Sequence, residues 1–130
     1  KHNFMFKESK AYGSFGVKNI PKAKDFYQNI LGLTVKENTM GILELEISGS
    51  SNLIIYPKPD HQPAVFTVLN FPVSDIEQVV DDLIEKGITF EQYDQEYLKT
   101  DEKGISRSEQ GPNIAWFKDS DGNILSVIEA

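Results

Sequence analysis

Between Ile20 and Leu31 the apolar residues Ala23, Phe26, Tyr27, Ile30 and Leu31 recur at helical spacing, while Lys22, Lys24, Asp25 and Gln28 fill the other positions. That period predicts an amphipathic helix. Asn19 can cap its first turn, Pro21 is tolerated there because its missing N–H would be unpaired anyway, and Gly32 supplies a left-handed stop. A second stretch, Asp75–Lys86, repeats the design: Ser74 and Glu77 are spaced as a capping box, Ile76, Val79, Val80, Leu83 and Ile84 form the stripe, and Gly87 closes it. The stop glycines, Gly32 and Gly87, lie 55 residues apart.

β-type runs surround each helix. Tyr12–Val17 precedes the first, and Leu33–Glu37, Gly41–Ile47 and Leu53–Tyr56 follow it; Ala64–Val73 precedes the second, and Ile88–Tyr93, Ile114–Lys118 and Ile124–Glu129 follow it. The chain therefore predicts an α+β fold of two βαβββ halves, about 10–57 and 64–130, within one domain spanning 1–130. The Pro-rich run Pro57–Pro63 joins them. Asp94–Pro112 is a polar insertion in the second half, expected to be a flap and the least ordered internal segment.

Composition narrows the partners. A formal charge of −7 disfavours polyphosphate and anionic lipid surfaces, so neither nucleic acid nor membrane is expected. The chain has no cysteine, which removes disulfides, thiolate nucleophiles and Cys-ligated zinc, and fits a reducing compartment. With no targeting signal and no apolar stretch of spanning length in view, a cytoplasmic protein is expected.

The run Val17-x-Asn19-Ile20-Pro21-x-Ala23-x-x-Phe26-Tyr27-x-x-Ile30-Leu31-Gly32-Leu33 resembles the first-helix signature of the vicinal-oxygen-chelate superfamily, which includes glyoxalase I, extradiol dioxygenases and bleomycin-resistance proteins. Val73-x-Asp75-Ile76-x-x-x-Val80-x-x-Leu83-x-x-x-Gly87 resembles it again, and Phe117-x-Asp119-Ser120-Asp121-Gly122-Asn123 is close to the family's closing hairpin. The resemblance implies two βαβββ modules forming an eight-stranded, cup-shaped sheet. It also implies where enzymes of the family hold a divalent ion. Those positions fall here on Tyr12, Val68 and Ser126, with Leu53–Tyr56 as the matching strand of the first half. None offers a His or carboxylate, so no metal, no cofactor and no catalytic residue are expected. His2 and His61 read as solvated, and Asp119–Gly122 as a hairpin turn, since it lacks the glycine and glutamate a calcium loop needs.

Strand alternation places Phe15, Val17, Leu69, Phe71 and Val73 under the helices. The opposite face then carries Tyr12, Ser14, Phe66, Val68, Asn70, Ile114, Trp116 and Ser126, joined by Glu44 and Glu46. This apolar, aromatic face with a few polar handles suits a small organic molecule, aromatic or cationic. The reading favoured is a non-enzymatic, metal-independent binding or sequestering protein of the bleomycin-resistance type, working as a homodimer. Two alternatives stay open. One is a metal-dependent lyase or dioxygenase whose ligands are displaced or supplied by a partner subunit. The other is a non-catalytic sensor or interaction domain.

Overall fold

The computed structural model describes residues 5–108 and 111–129. The chain divides into two compact units, Lys1–His61 and Gln62–Ala130. In unit 1, β1 (Ser14–Val17) leads into α1 (Ile20–Asp25), which runs on as a π-helical turn, Phe26–Ile30. Three strands follow, β2 (Thr34–Glu37), β3 (Leu43–Glu46) and β4 (Leu53–Pro57), in a sheet of order β1-β4-β3-β2 whose only parallel pair is β1 with β4. As expected, the Asn19 side chain accepts from the Lys22 N–H at 2.9 Å. The wider π turn narrows the angle between consecutive side chains. Phe26 and Tyr27 are accordingly both buried, their rings edge-on at 5.1 Å, with the Phe15 ring 6.3 Å from Tyr27.

Unit 2 repeats the plan. β5 (Thr67–Val73) precedes α2 (Ile76–Glu85), and the sheet order is β5-β10-β9-β8, with β8 Ile105–Ser106, β9 Asn113–Lys118 and β10 Ile124–Glu129. Ile76, Val80 and Leu83 of α2 are buried, as are Ala115, Phe117, Leu125 and Val127 of the sheet. The cap of α2 is Asp75, which accepts from the Gln78 N–H at 3.2 Å, and not Ser74 as the capping box predicted. Glu129, at the end of β10, adds a second cap: its carboxylate accepts from the Ile76 N–H at 2.9 Å and from the Asn113 side chain at 3.1 Å.

One expectation fails in unit 2. Ile88–Tyr93 forms no strand. Ile88 and Phe90 are buried, the Phe90 ring lies 5.4 Å from Phe117, and the Glu91 N–H donates to the Trp116 carbonyl of β9 at 2.8 Å. The rest of that edge belongs to β8, where Ile105 and Ser106 pair with Ala115 and Ile114. The insertion, over its described residues, carries secondary structure of its own. It folds into a hairpin of β6 (Asp94–Gln95) and β7 (Leu98–Lys99), closed at its base where the Tyr93 N–H donates to Thr100 Oγ1 at 2.8 Å and the Thr100 N–H to the Tyr93 carbonyl at 2.9 Å. A turn then carries the chain to β8. Asp101 Oδ1 accepts from the Lys103 and Ile105 N–H groups, both at 2.9 Å. Lys103 pairs with Asp81 at 2.8 Å and Glu77 at 3.3 Å, and Arg107 pairs with Glu77 and, at 3.2 Å, with Asp101. The polar side chains here satisfy backbone N–H groups and tie the segment to α2.

His61 also departs from expectation. It is buried, and Gly16 faces it so closely that a Cβ there would lie 3.1 Å from its Nδ1. His2 lies outside the described residues.

Candidate functional site

The strand registers align the two units position by position. Val17 opposes Pro57 in unit 1, and Val73 opposes Glu129 in unit 2. Three residues upstream, the row Ser14, Ile54 and Glu44 crosses β1, β4 and β3, while Asn70, Ser126 and Trp116 cross β5, β10 and β9. Glu44 and Trp116 thus hold equivalent places, each on the sheet face opposite the buried core side chains.

In unit 1, Tyr12, Glu44, Asn52 and Ile54 line an open groove of about 410 Å³ with Lys10 and Ser51. Its carboxylate is engaged, because the Asn52 side-chain amide donates to Glu44 Oε2. Glu46 is engaged as well, in an ion pair of 2.7 Å with Lys36. The hydrogen bond that Lys36 donates to Glu46, more than the attraction between their charges, raises the Lys36 pKa. Ser14 is exposed beside this row.

In unit 2 the groove is aromatic. Phe66, Thr67, Tyr93, Tyr97, Leu98 and Trp116 border a space of about 280 Å³. Tyr93 meets the Trp116 ring edge-on at 5.6 Å, and the indole Nε1–H donates to Thr67 Oγ1 at 3.1 Å, which fixes the ring's orientation. Of the residues anticipated here, Phe66 and Trp116 line the groove, and Ile114 is half-buried on the same face of β9. Ser126, in the middle of the row, is not open to the groove: its side chain is fully buried and its hydroxyl donates to Asn70 Oδ1. Val68 is displaced by a bulge, because Ile124 pairs with Thr67 and the next residue, Leu125, with Leu69. The extra residue reverses alternation upstream of it, which is why Thr67 holds the indole. Thr67, Tyr93 and Tyr97 were all missed. A bulge leaves no local mark in Thr67-Val68-Leu69, and the two tyrosines flank or belong to the insertion.

Catalytic relatives of such a fold hold a divalent ion, so the donors here can be tested against one. The corresponding side chains are the Tyr12 phenol, the Val68 isopropyl group and the Ser126 hydroxyl, already given to Asn70. Among the described residues no group of three or more His, Asp or Glu side chains could hold an ion. These residues do not fit a metal.

Two βαβββ units, each a four-stranded sheet with one helix, are the architecture of a large family of small-molecule-handling proteins. The chain belongs to the Glyoxalase/Bleomycin resistance protein/Dioxygenase superfamily, whose family model matches residues 12–127. A glyoxalase family protein from Enterococcus faecalis shares 28% identity over 96% of this chain and 100% of its own, at a TM-score of 0.69. TnmS3, an antibiotic-binding protein from Streptomyces sp. CB03234, shares 21% over 91% and 92%, at 0.67. The fosfomycin resistance protein FosX from Listeria monocytogenes shares 15% over 92% and 91%, at 0.70. The last two likenesses carry the fold alone. No curated protein matches at a significant level. No described helix is long and apolar enough to cross a membrane.

Proposed function

We propose that the protein binds and sequesters a small organic molecule without a metal ion, and that Trp116 is the centre of its site. One observation carries this reading: the indole is held by Thr67 at 3.1 Å and by Tyr93 edge-on at 5.6 Å, on the wall of a groove, at a position where the other unit has a carboxylate. A ring so fixed loses little entropy when a ligand packs on it. The antibiotic-binding TnmS3 and the resistance protein FosX share the fold, which supports sequestration of a foreign compound as the use made of that groove. The alternative, a metal-dependent lyase or dioxygenase, finds no fitting donor set among the described residues.

The test is calorimetric titration of a library of flat heteroaromatic compounds against wild type, Trp116→Ala and chelator-treated protein. Losing an aromatic contact of roughly 0.5–1.5 kcal/mol together with its buried area predicts at least about tenfold weaker binding by Trp116→Ala. Chelation is expected to change nothing. Binding that EDTA abolishes would restore the metal, and unchanged affinity in the variant would move the site away from Trp116.

A further inference from the structure

We infer that the ligand of the Trp116 groove is an uncharged, planar molecule of two or three fused rings, and that Tyr97 is the residue that selects it. This rests on the binding role proposed above and narrows it. Size is the first argument. At about 280 Å³ the space sits at the lower edge of the range that holds drug-sized ligands, so a compact ring system fills it.

Charge is the second. The groove is lined by aromatic rings, aliphatic groups, the Thr67 hydroxyl and the Gln95 amide, with no Asp, Glu, Lys or Arg among them. An ionic guest would give up hydration and gain no counter-charge. The carboxylates that seemed suited to a cation, Glu44 and Glu46, belong to unit 1, where Asn52 and Lys36 already engage them.

The third argument is the hairpin. Val65, Phe66 and Tyr97 are 94%, 66% and 85% exposed, and all three border this one groove. Single exposed apolar residues need no explanation, but a cluster around a concavity marks a contact surface. Tyr97 sits in the turn between β6 and β7, which is anchored at its base by Tyr93 and Thr100, and beyond it by the ion pairs of Lys103 and Arg107 with α2. The ring is thus presented by a fixed support and packed against little, an arrangement suited to closing over a flat ligand's exposed face. The first unit has no such insertion.

The chain's single tryptophan makes the site self-reporting. Three tricyclic dyes of similar size serve as probes: neutral acridone, cationic proflavine and anionic anthracene-9-carboxylate. Affinity is read by calorimetry and location by Trp116 emission. Acridone is expected to bind at least tenfold more tightly than either ion and to perturb the emission. Tyr97→Ala should weaken acridone at least fivefold, and Tyr97→Phe should restore it to within twofold, since the face of the ring is what is used. Because Tyr97 is exposed, neither change threatens folding.

Equal or tighter binding of proflavine, or an affinity indifferent to Tyr97→Ala, overturns the inference; if Trp116→Ala still abolishes binding, the broader reading survives it. Failure of all three dyes to bind overturns the inference, and only the library titration then decides the broader reading. Emission that shifts with protein concentration as a dimer forms, with no dye bound, gives the groove to a second copy of the chain and overturns both.

Discussion

Units 1 and 2 share one plan and differ in what they place on it. Aligned on Val17 and Val73, Glu44 answers to Trp116, Ile54 to Ser126 and Pro57 to Glu129. The same open sheet face carries an amide-bonded carboxylate in one unit and an oriented indole in the other. The two units even share a turn. In Asn38–Ile42 the Asn38 Oδ1 accepts from the Met40 and Ile42 N–H groups at 2.8 and 3.0 Å, and in Asp101–Ile105 the Asp101 Oδ1 accepts from Lys103 and Ile105 at 2.9 Å. A third copy, Asp119–Asn123, joins β9 to β10. The units diverge in the side chains of one register row and in one insertion, while the backbone plan stays put.

The sharpest contrast lies in the turn glycines. Gly41 and Gly104 both have positive φ, +77° and +91°, but a Cβ on Gly41 would meet nothing within 4 Å, whereas one on Gly104 would lie 2.6 Å from the Cβ of Phe90. Gly41→Ala should therefore cost only the left-handed strain, roughly 1–2 kcal/mol. Gly104→Ala adds overpacking of roughly 1–3 kcal/mol, for a total of about 2–5 kcal/mol. Urea unfolding of both variants, followed by far-UV dichroism and Trp116 emission, separates them. Equal losses would mean that the insertion is not packed on Phe90.

That contact also explains what the sequence could and could not disclose. Asn19, Gly32 and Gly87 mark helix ends because caps and stops are local hydrogen-bond chemistry, with the cap of α2 falling one residue past the expected Ser74, and the strand–helix plan followed from periodicity. The competition between Ile88–Tyr93 and Ile105–Ser106 for the edge of β9 is decided by tertiary packing, with Phe90 driven into the core beneath Gly104. No window of residues contains it. The bulge at Val68 reverses alternation for the same reason, and so Thr67 and the tyrosines of the groove stayed hidden while Phe66 and Trp116 were found. Of the three Asx-x-x-Gly turns, at Asn38, Asp101 and Asp119, only the last was read from the sequence.

A smaller difference separates the strand ends. Glu129 caps α2 through the Ile76 N–H, and its counterpart Pro57 has no carboxylate to offer α1. Glu129→Ala removes a charge-assisted cap and leaves Asn113 without that acceptor, so about 1–2 kcal/mol and some helical dichroism should be lost. Pro57→Ala should cost only about 0.4–1 kcal/mol, through the entropy of the unfolded chain. If the two variants melt together, the second cap contributes nothing and the units are held alike at that end.

The weakest distinction is between the side chains that hold the shared turn, an amide in unit 1 and a carboxylate in unit 2. Burial pushes the Asp101 carboxyl up, but the Ile105 and Lys103 N–H groups and the Arg107 guanidinium outweigh it and hold its pKa below the usual value. A depressed carboxylate stabilises the fold above its unfolded pKa of about 3.9 and loses that contribution as the pH falls through the lower, folded value. Asn38 shows that an amide makes both backbone bonds of this turn, so Asp101→Asn should keep the turn and forfeit the charge together with its pairing to Arg107. The side chain is 35% exposed, and solvent screening limits the loss at neutral pH to at most about 1 kcal/mol. Thermal melts of wild type and Asp101→Asn should differ slightly at pH 7 and converge as the pH drops below about 4. A gap that persists in acid would mean that the carboxylate acts through the geometry of the turn and not through its charge, and the amide of unit 1 would then be no equivalent of it.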